Sequence, residues 1–189
     1  MTNTDDFIWR LVKGCVQLGL IPDINNTINM VPVNHVARCT VLSAMEPPPP
    51  KSAKVHHITS RPSIRFNELL DSLSVFGYNV ERCEYVIWRG KLEKHVMEVQ
   101  DNALFPLLHF VLDDLPTSTK APELNDQNTF DLLKKYGEEK GGVVDQQLIG
   151  RYIAWLVSAT FLPKPSGEGK LPLPQLDGPS AKAVGRSGR

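Results

Sequence analysis

Tyr136 and Lys140 have the spacing of a proton-donating tyrosine and the lysine that activates it. A lysine one helical turn after a tyrosine lowers the pKa of the phenol, which can then protonate a carbonyl oxygen. Such a pair needs a firm helix. Gly137 directly follows the tyrosine, and Gly141 and Gly142 follow the lysine, which is typical of a helix end. We therefore interpret the pair as a chance match rather than a catalytic site.

Phosphate recognition would need glycines between a strand and a helix, where backbone amides can approach a pyrophosphate. The sequence contains no G-x-G-x-x-G motif. The run Gly167–Lys170 resembles a phosphate loop, but it lacks the full spacing and the Ser or Thr after the lysine, and it lies in a proline-rich segment. We expect no catalytic and no cofactor-binding residue in this chain.

The histidines and cysteines do not predict a metal site. His56 and His57 are adjacent in a predicted strand, so their side chains point to opposite faces. Cys15, Cys39 and Cys83 are widely spaced within apolar patterns, which is typical of buried thiols rather than of a disulfide framework or a zinc site. A reducing compartment fits these cysteines best.

The composition argues against several kinds of partner. Acidic and basic residues balance at 21 each, so no polybasic surface for nucleic acid or anionic lipid is expected. No apolar stretch approaches the length of a membrane span, and the polar start MTNTDD is unlike a signal peptide. The sequence therefore predicts a cytoplasmic protein without a nucleic-acid or membrane partner.

A helix, a strand and a second helix open the chain. The first helix has an apolar stripe and ends at Gly19. Thr27–Val33 is apolar and β-rich, which predicts a strand covered by neighbours. Asn34 is expected to cap the second helix. The stripe of the first helix comprises Ile8, Leu11, Val12, Cys15 and Leu18, and the expected buried face of the second comprises Val36, Ala37, Thr40, Val41 and Ala44.

The rest of the chain is predicted to be mainly helical. A tetraproline connector at residues 47–50 precedes predicted strands at residues 54–59 and 82–86. Helices are predicted around Leu69–Phe76 and at residues 102–112, 128–136 and 145–157, with a long loop at residues 113–127. The sequence thus predicts one domain over residues 1–165 and a disordered tail over residues 166–189.

Five segments, in the same order, resemble the C-terminal end of the fungal α-aminoadipate reductases. They are LVKGCVQLGLIP, INNTINMVPVNHVAR, RFNELL, LLHFVLDDLPTSTKAPEL and FLPKP. The resemblance runs from about Thr4 to about Pro165. It implies an α/β fold: the C-terminal portion of a Rossmann-like thioester reductase domain of the extended short-chain dehydrogenase type, with an incomplete parallel sheet and a mainly helical substrate-binding subdomain.

The resemblance also implies an activity for the complete enzyme. NADPH would reduce an aminoadipyl thioester, held on the phosphopantetheine arm of a carrier domain, to the semialdehyde of lysine biosynthesis. The partners of this chain would be the carrier domain and the upstream, cofactor-binding half of the reductase domain. The glycine-rich loop and the catalytic Tyr-x-x-x-Lys helix of the family precede the equivalent of Asp5, so we expect the isolated chain to be inactive and to bind no cofactor.

Five candidate substrate-binding residues surround the start of the second helix. Pro32, Val33, Asn34 and His35 follow a predicted strand, and ligands bind outside the carboxyl ends of parallel strands. His35 titrates near neutrality, but a histidine in the first turn of a helix more often makes a structural hydrogen bond. Arg38 either pairs with a carboxylate or phosphate or is an exposed arginine without a role.

Three further candidates lie on the first helix. Trp9, Lys13 and Gln17 fall off its main apolar stripe. They either line the entry for the pantetheine arm or simply cover the surface. Two other readings of the whole chain stay open: a non-catalytic binding or assembly module, and a fragment of another carboxylic acid reductase.

Overall fold

A computed structural model describes residues 3–99, 101–120, 122–138 and 142–176. The chain divides into two compact units. The first comprises Met1–Asn26, Phe66–Thr119 and Gln146–Arg189, and the second comprises Thr27–Arg65 and Lys120–Asp145. In chain order the elements are α1 (Phe7–Leu18), β1 (Leu20–Pro22), α2 (Val33–Met45), α3 (Phe66–Val75), β2 (Glu81–Cys83), α4 (Tyr85–Glu98), a 3-10 turn (Phe105–Leu107), α5 (Leu108–Ser118), α6 (Gln127–Lys135) and α7 (Gln146–Ser158).

Helix α1 forms for the local reasons that its sequence predicts. Asp6 caps its start by accepting a hydrogen bond from the backbone N–H of Ile8 at 2.8 Å. Gly19 ends it with a left-handed φ of 71°. The buried residues of α1 are Trp9, Leu11, Val12, Gly14 and Cys15. The predicted stripe is therefore largely confirmed and is centred closer to Trp9 than expected.

The sheet of the first unit consists of two short parallel strands. In β1 and β2, Leu20 lies opposite Glu81 and Pro22 opposite Cys83. Trp88 of α4 is fully buried and donates a hydrogen bond from Nε1 to the carbonyl of Leu20 at 3.2 Å. A small parallel sheet among helices agrees with the predicted fold class. The strand predicted at residues 82–86 ends early, because α4 already begins at residue 85.

The strand predicted at Thr27–Val33 is wrong. Only Thr27 makes a bridge, an isolated antiparallel one with Arg65, and Val33 already begins α2 with 81% of its surface exposed. Pro32 explains the difference, since it cannot donate a ladder hydrogen bond but fits the extended position before a helix. The apolar run therefore leads into a helix instead of forming a sheet.

The second unit is built on the packing of α2 against α6. Its core consists of Cys39 and Leu42 from α2 and Leu132 and Leu133 from α6. The buried face of α2 is thus not the predicted one: Ala37, Thr40, Val41 and Ala44 are exposed and Val36 is half-buried. Helix α2 is apolar on two sides, and within the unit only one side meets α6.

The predicted helices lie close to their observed positions, but the strand predicted at residues 54–59 does not form in the described structure, and α5 and the segment after Pro165 also need correction. Helix α5 runs to Ser118 and contains Pro116, so the loop before α6 is shorter than predicted. The segment after Pro165 packs on the first unit, since Gly167 donates a hydrogen bond to the carbonyl of Gly77 at 2.9 Å and Leu171 donates one to Val75 at 3.1 Å. The predicted tail therefore does not begin at residue 166; residues 177–189 lie outside the described part of the chain.

Candidate functional site

A pocket of about 360 Å³ lies beside α1 in the first unit, and we call it the α1 pocket. Its wall includes Arg10 and Lys13 from α1, Asp101 and Asn102 from the segment before the 3-10 turn, and the aromatic rings of Phe105 and Phe161. Arg10 is paired with Asp5 at 2.8 Å. The Nζ of Lys13 lies 4.8 Å from the ring centroid of Phe161. The pocket therefore combines charged groups of both signs with apolar walls.

Gln17 and Gly14 hold the segment that forms one side of this pocket. The amide of Gln17 donates from Nε2 to the carbonyl of Asp101 at 2.9 Å and accepts from the N–H of Ala103 at 2.8 Å. A Cβ on Gly14 would fall 2.6 Å from the side chain of Leu104, so only glycine lets this segment lie so close to α1. These contacts of Gln17 and Gly14 hold one wall of the α1 pocket in position.

Asn102 is the least satisfied polar group at this pocket. Its residue surface is 3% exposed, and Oδ1 accepts from the N–H of Leu104 at 2.9 Å. Its Nδ2 is buried and has no hydrogen-bond partner among the described residues. A buried donor without an acceptor costs about 1–3 kcal/mol.

The three candidates on α1 have different roles. Lys13 lines the α1 pocket, and Gln17 supports it without lining it. Trp9 is only 4% exposed, and its ring packs edge-on against Tyr152 with 5.7 Å between centroids. Trp9 therefore belongs to the core rather than lying off the apolar stripe, which corrects its predicted position.

His35 lies in the second unit and is buried within it. It is 6% exposed, and its Nε2 lies 3.6 Å from the Sγ of Cys39, one helical turn along α2. A Cβ on Gly142 would fall 2.8 Å from the imidazole, so this glycine makes room for the ring. Burial lowers the pKa of His35, an effect that the nearby Glu138 partly opposes. The environment of His35 thus favours a neutral ring with a packing role.

The other candidates near α2 do not form one cluster with His35. Pro32 is buried before the helix, Val33 points to the surface, and Asn34 is exposed inside the first turn rather than capping it. Arg38 has an exposed side chain and forms an ion pair with Glu138. Within the second unit this arrangement creates a helix start, and these side chains line neither the pocket at Arg61 and Asp126 nor the one beside Glu46 and Lys135.

Tyr136 lies just beyond α6, where the chain turns at Gly137 with a φ of 73°. The helix end predicted from the glycines is therefore confirmed. The hydroxyl of Tyr136 donates to Oε1 of Glu46 at 2.8 Å, and this hydrogen bond, with partial burial, raises the pKa of the phenol. A catalytic tyrosine would need the opposite shift. Lys140, its expected activator, lies outside the described residues.

A second pocket of about 440 Å³ lies within the second unit. Arg61 and Asp126 contribute to its wall, and the guanidinium of Arg61 donates from Nε to the Asp126 carboxylate at 2.7 Å. The hydrogen bonds from Arg61, the strongest cause, and from Thr59 lower the pKa of Asp126 to about 2. The loop before α6 is therefore anchored by a charged pair, a role that the sequence did not assign to it.

Two surfaces of the second unit are open in this chain. On α2, Val33 is 81%, Val41 54% and Met45 60% exposed, and their spacing places them with Ala37 along one stripe. Residues 54–59, predicted as a strand, form no strand pair with any described residue. Their carbonyls at Val55 and His57 instead accept hydrogen bonds from side chains of α6, at 2.9 and 2.7 Å. Residues 54–59 are therefore hydrogen-bonded to α6 along one side.

Sequence reasoning missed Arg10, Asp101, Asn102 and Phe161 as members of one pocket. They come from three distant parts of the chain, so no local spacing joins them. Gly14 was the available signal, because a glycine inside an amphipathic helix often marks the close approach of another segment.

Similarity to curated proteins identifies the family of this chain. The L-2-aminoadipate reductase of Schizosaccharomyces pombe is 51% identical over 175 residues, which cover 89% of this chain. The corresponding Saccharomyces cerevisiae protein is 47% identical and covers 93% of the chain. The chain belongs to the L-2-aminoadipate reductase family and corresponds to its C-terminal part. It spans only 12–13% of the length of these relatives.

More distant matches agree with a reductase-type domain. An isonitrile lipopeptide synthase of Streptomyces coeruleorubidus is 25% identical over 170 residues. A crystal structure of the terminal R domain from the myxalamid PKS-NRPS biosynthetic pathway matches 87% of this chain at 27% identity with a TM-score of 0.70, and the chain covers 41% of that domain. The predicted fold class, the C-terminal portion of such a domain, is thereby confirmed. No protein-family model matches the chain.

The described residues include no glycine-rich phosphate loop of the kind that binds a dinucleotide. The sequence has no glycine-rich motif between a strand and a helix, and the GEGK run is packed along α3 through Gly167. No group of three or more His, Cys, Asp or Glu side chains among the described residues is arranged to hold a metal ion. In the part of the chain that the structure describes, no helix has the length and apolar character of a membrane span.

Proposed function

We propose that this chain is the C-terminal, substrate-side part of an NADPH-dependent reductase that converts a carrier-bound L-2-aminoadipyl thioester to the semialdehyde in lysine biosynthesis. The observation that carries the proposal is 51% identity, over 89% of the chain, to a relative named L-2-aminoadipate reductase. The chain alone is inactive in this proposal, because the dinucleotide loop and the catalytic Tyr-x-x-x-Lys pair belong to the upstream half.

The upstream half of the reductase domain is the proposed partner of the open surfaces on the second unit. Val41 and Met45 expose apolar area that a folded protein normally buries, and the unpaired segment 54–59 can add to a sheet edge. The chain covers only 41% of the matching terminal R domain, so more than half of a domain of this kind remains to supply such a partner.

In this proposal, the residues of the chain bind and position the acyl group and exclude water, while the upstream half supplies proton and hydride transfer. NADPH would provide the hydride in the complete enzyme. The phosphopantetheine arm of the carrier domain would deliver the thioester. In the chain itself, Lys13 offers a donor to the substrate, and Gln17 keeps the Asp101–Ala103 segment in place.

A chimera tests this function. The C-terminal part of the S. pombe enzyme is replaced by this chain, and the chimera is assayed for NADPH oxidation with aminoadipyl thioester and for rescue of lysine-free growth. We expect both. An active chimera that reduces other acyl thioesters but not the aminoadipyl one would instead support another carboxylic acid reductase, a rival favoured by the match to the isonitrile lipopeptide synthase. No activity with any thioester would refute the proposal.

The partner surface has its own test in the same chimera. Val41→Lys places a charge on a side chain that is 54% exposed in this chain, so the isolated chain should tolerate it. If the upstream half covers this position, burying the unpaired charge should abolish folding or activity of the chimera. Equal tolerance in both proteins would contradict the proposed partner.

A further inference from the structure

We propose that the α1 pocket binds the amino-acid end of the 2-aminoadipyl group, its carboxylate at Lys13 and its ammonium at Asp101. This inference rests on the proposed function and adds which residues select the substrate. An acyl group of this kind carries a carboxylate and an ammonium on one carbon at the end opposite the thioester. A selective site therefore needs one group of each charge between apolar walls.

The charges of the α1 pocket meet this requirement. Arg10 is already neutralised by Asp5 at 2.8 Å. Lys13 and Asp101 form no ion pair within 4 Å among the described residues, so the pocket offers one cation and one carboxylate that a ligand can pair. The ammonium of Lys13 instead lies over Phe161, at 4.8 Å from the ring centroid. A zwitterionic group compensates both charges at once, which neither a neutral acyl chain nor a pantetheine amide does.

The orientation of the Asn102 amide is fixed by its neighbour. The N–H of Leu104 needs an acceptor and finds Oδ1 at 2.9 Å, so Nδ2 must point the other way as a donor. That donor is buried in a residue with 3% exposure and has no protein acceptor among the described residues. Because this atom has almost no accessible surface, Asn102 supports the pocket wall through Oδ1 and is not itself a ligand contact.

The pocket is preorganised and has room for the methylene chain. Gln17 bonds to both sides of the Asp101–Ala103 segment, and Gly14 lets this segment lie against α1. The walls also contain Phe105, which is 49% exposed, and Phe161. A volume of about 360 Å³ lies within the range of small-molecule sites and exceeds that of a six-carbon chain.

Three acyl thioesters separate the roles of the two charges in the chimera. The aminoadipyl group carries both charges, the adipyl group has only the carboxylate, and the hexanoyl group has neither. Lys13→Gln should lower kcat/KM about tenfold or more for the first two and leave hexanoyl unchanged. Asp101→Asn should lower it for aminoadipyl alone. Lys94→Gln, an exposed lysine on α4, serves as the matched control and should change none of them.

The outcomes distinguish this inference from the proposed function. A chimera that reduces none of the thioesters refutes the function. An active chimera in which Lys13→Gln affects all three substrates equally, or none, overturns the inference and points to a pantetheine contact or a surface role. Binding to the 189-residue chain decides the case independently of turnover. By calorimetry, L-2-aminoadipate should bind more tightly than adipate, and Lys13→Gln should weaken both. No binding at millimolar concentrations overturns the inference.

Discussion

Asp126→Asn should weaken the second unit by an amount that depends on pH. The Asp126 side chain is 18% exposed, and hydrogen bonds from Arg61 and Thr59 lower the pKa of Asp126 from 3.8 to about 2. At about 1.4 kcal/mol per pKa unit, this shift corresponds to about 2 kcal/mol of stability at neutral pH. Arg61 is 41% exposed, so solvent screening reduces the expected loss to about 1–2 kcal/mol.

The pH dependence follows from the direction of the shift. The folded state holds the Asp126 carboxyl ionised at pH values where the unfolded chain has taken up a proton. Its contribution is therefore fully present above pH 3.8 and is lost as the pH falls through about 2. About half of it should remain near pH 3. Asp126→Asn removes this contribution, so the gap in stability between wild type and variant should close on acidification.

Urea unfolding of wild type and Asp126→Asn at a series of pH values checks this account. Asp113→Asn, at an exposed position on α5, is the matched control and should behave like the wild type at every pH. A gap that stays constant between pH 6 and pH 2.5 would refute the reasoning, because the stabilisation would then not depend on the charge of Asp126.

Three further predictions concern α1, α2 and α4. Burial lowers the pKa of His35, so the stabilising contribution of this residue should be present above about pH 6.5 and decline at lower pH. His35→Gln should therefore reduce the change of the urea unfolding midpoint between pH 7.5 and pH 5.5. Gly14→Ala places a Cβ 2.6 Å from Leu104 and should destabilise by about 1–3 kcal/mol. Gly90→Ala, with nothing within 4 Å, should instead stabilise α4 by up to about 1 kcal/mol, as calorimetric melting of both variants can measure.

Helices with local signals could be predicted from the sequence. In α1 the apolar spacing and Gly19 define the element without help from the rest of the chain. Strand β1 was not predicted and β2 was predicted only in part, because both have three residues and depend on a partner about sixty residues away. The buried face of α2 was misjudged because the helix is apolar on two sides, and periodicity does not say which side meets α6.

The residues of the candidate site also divide into those that the sequence could predict and those that it could not. Lys13 and Gln17 could be proposed as candidates because their offset from the apolar stripe is visible in one helix. The charge balance of the α1 pocket could not be predicted, since Asp101 and Phe161 come close to Lys13 only in the tertiary fold. Trp9 shows the opposite case: a large apolar ring that seemed free in the pattern is buried against Tyr152.

The central claim is that this chain supplies binding surfaces while the redox machinery lies in the upstream half. The most direct measurement follows NADPH absorbance with aminoadipyl thioester as substrate, using the chain alone and the chain joined to the upstream part of the S. pombe enzyme. We predict turnover only in the joined protein and no NADPH binding by the chain alone. Steady oxidation of NADPH by the purified chain alone would contradict the account.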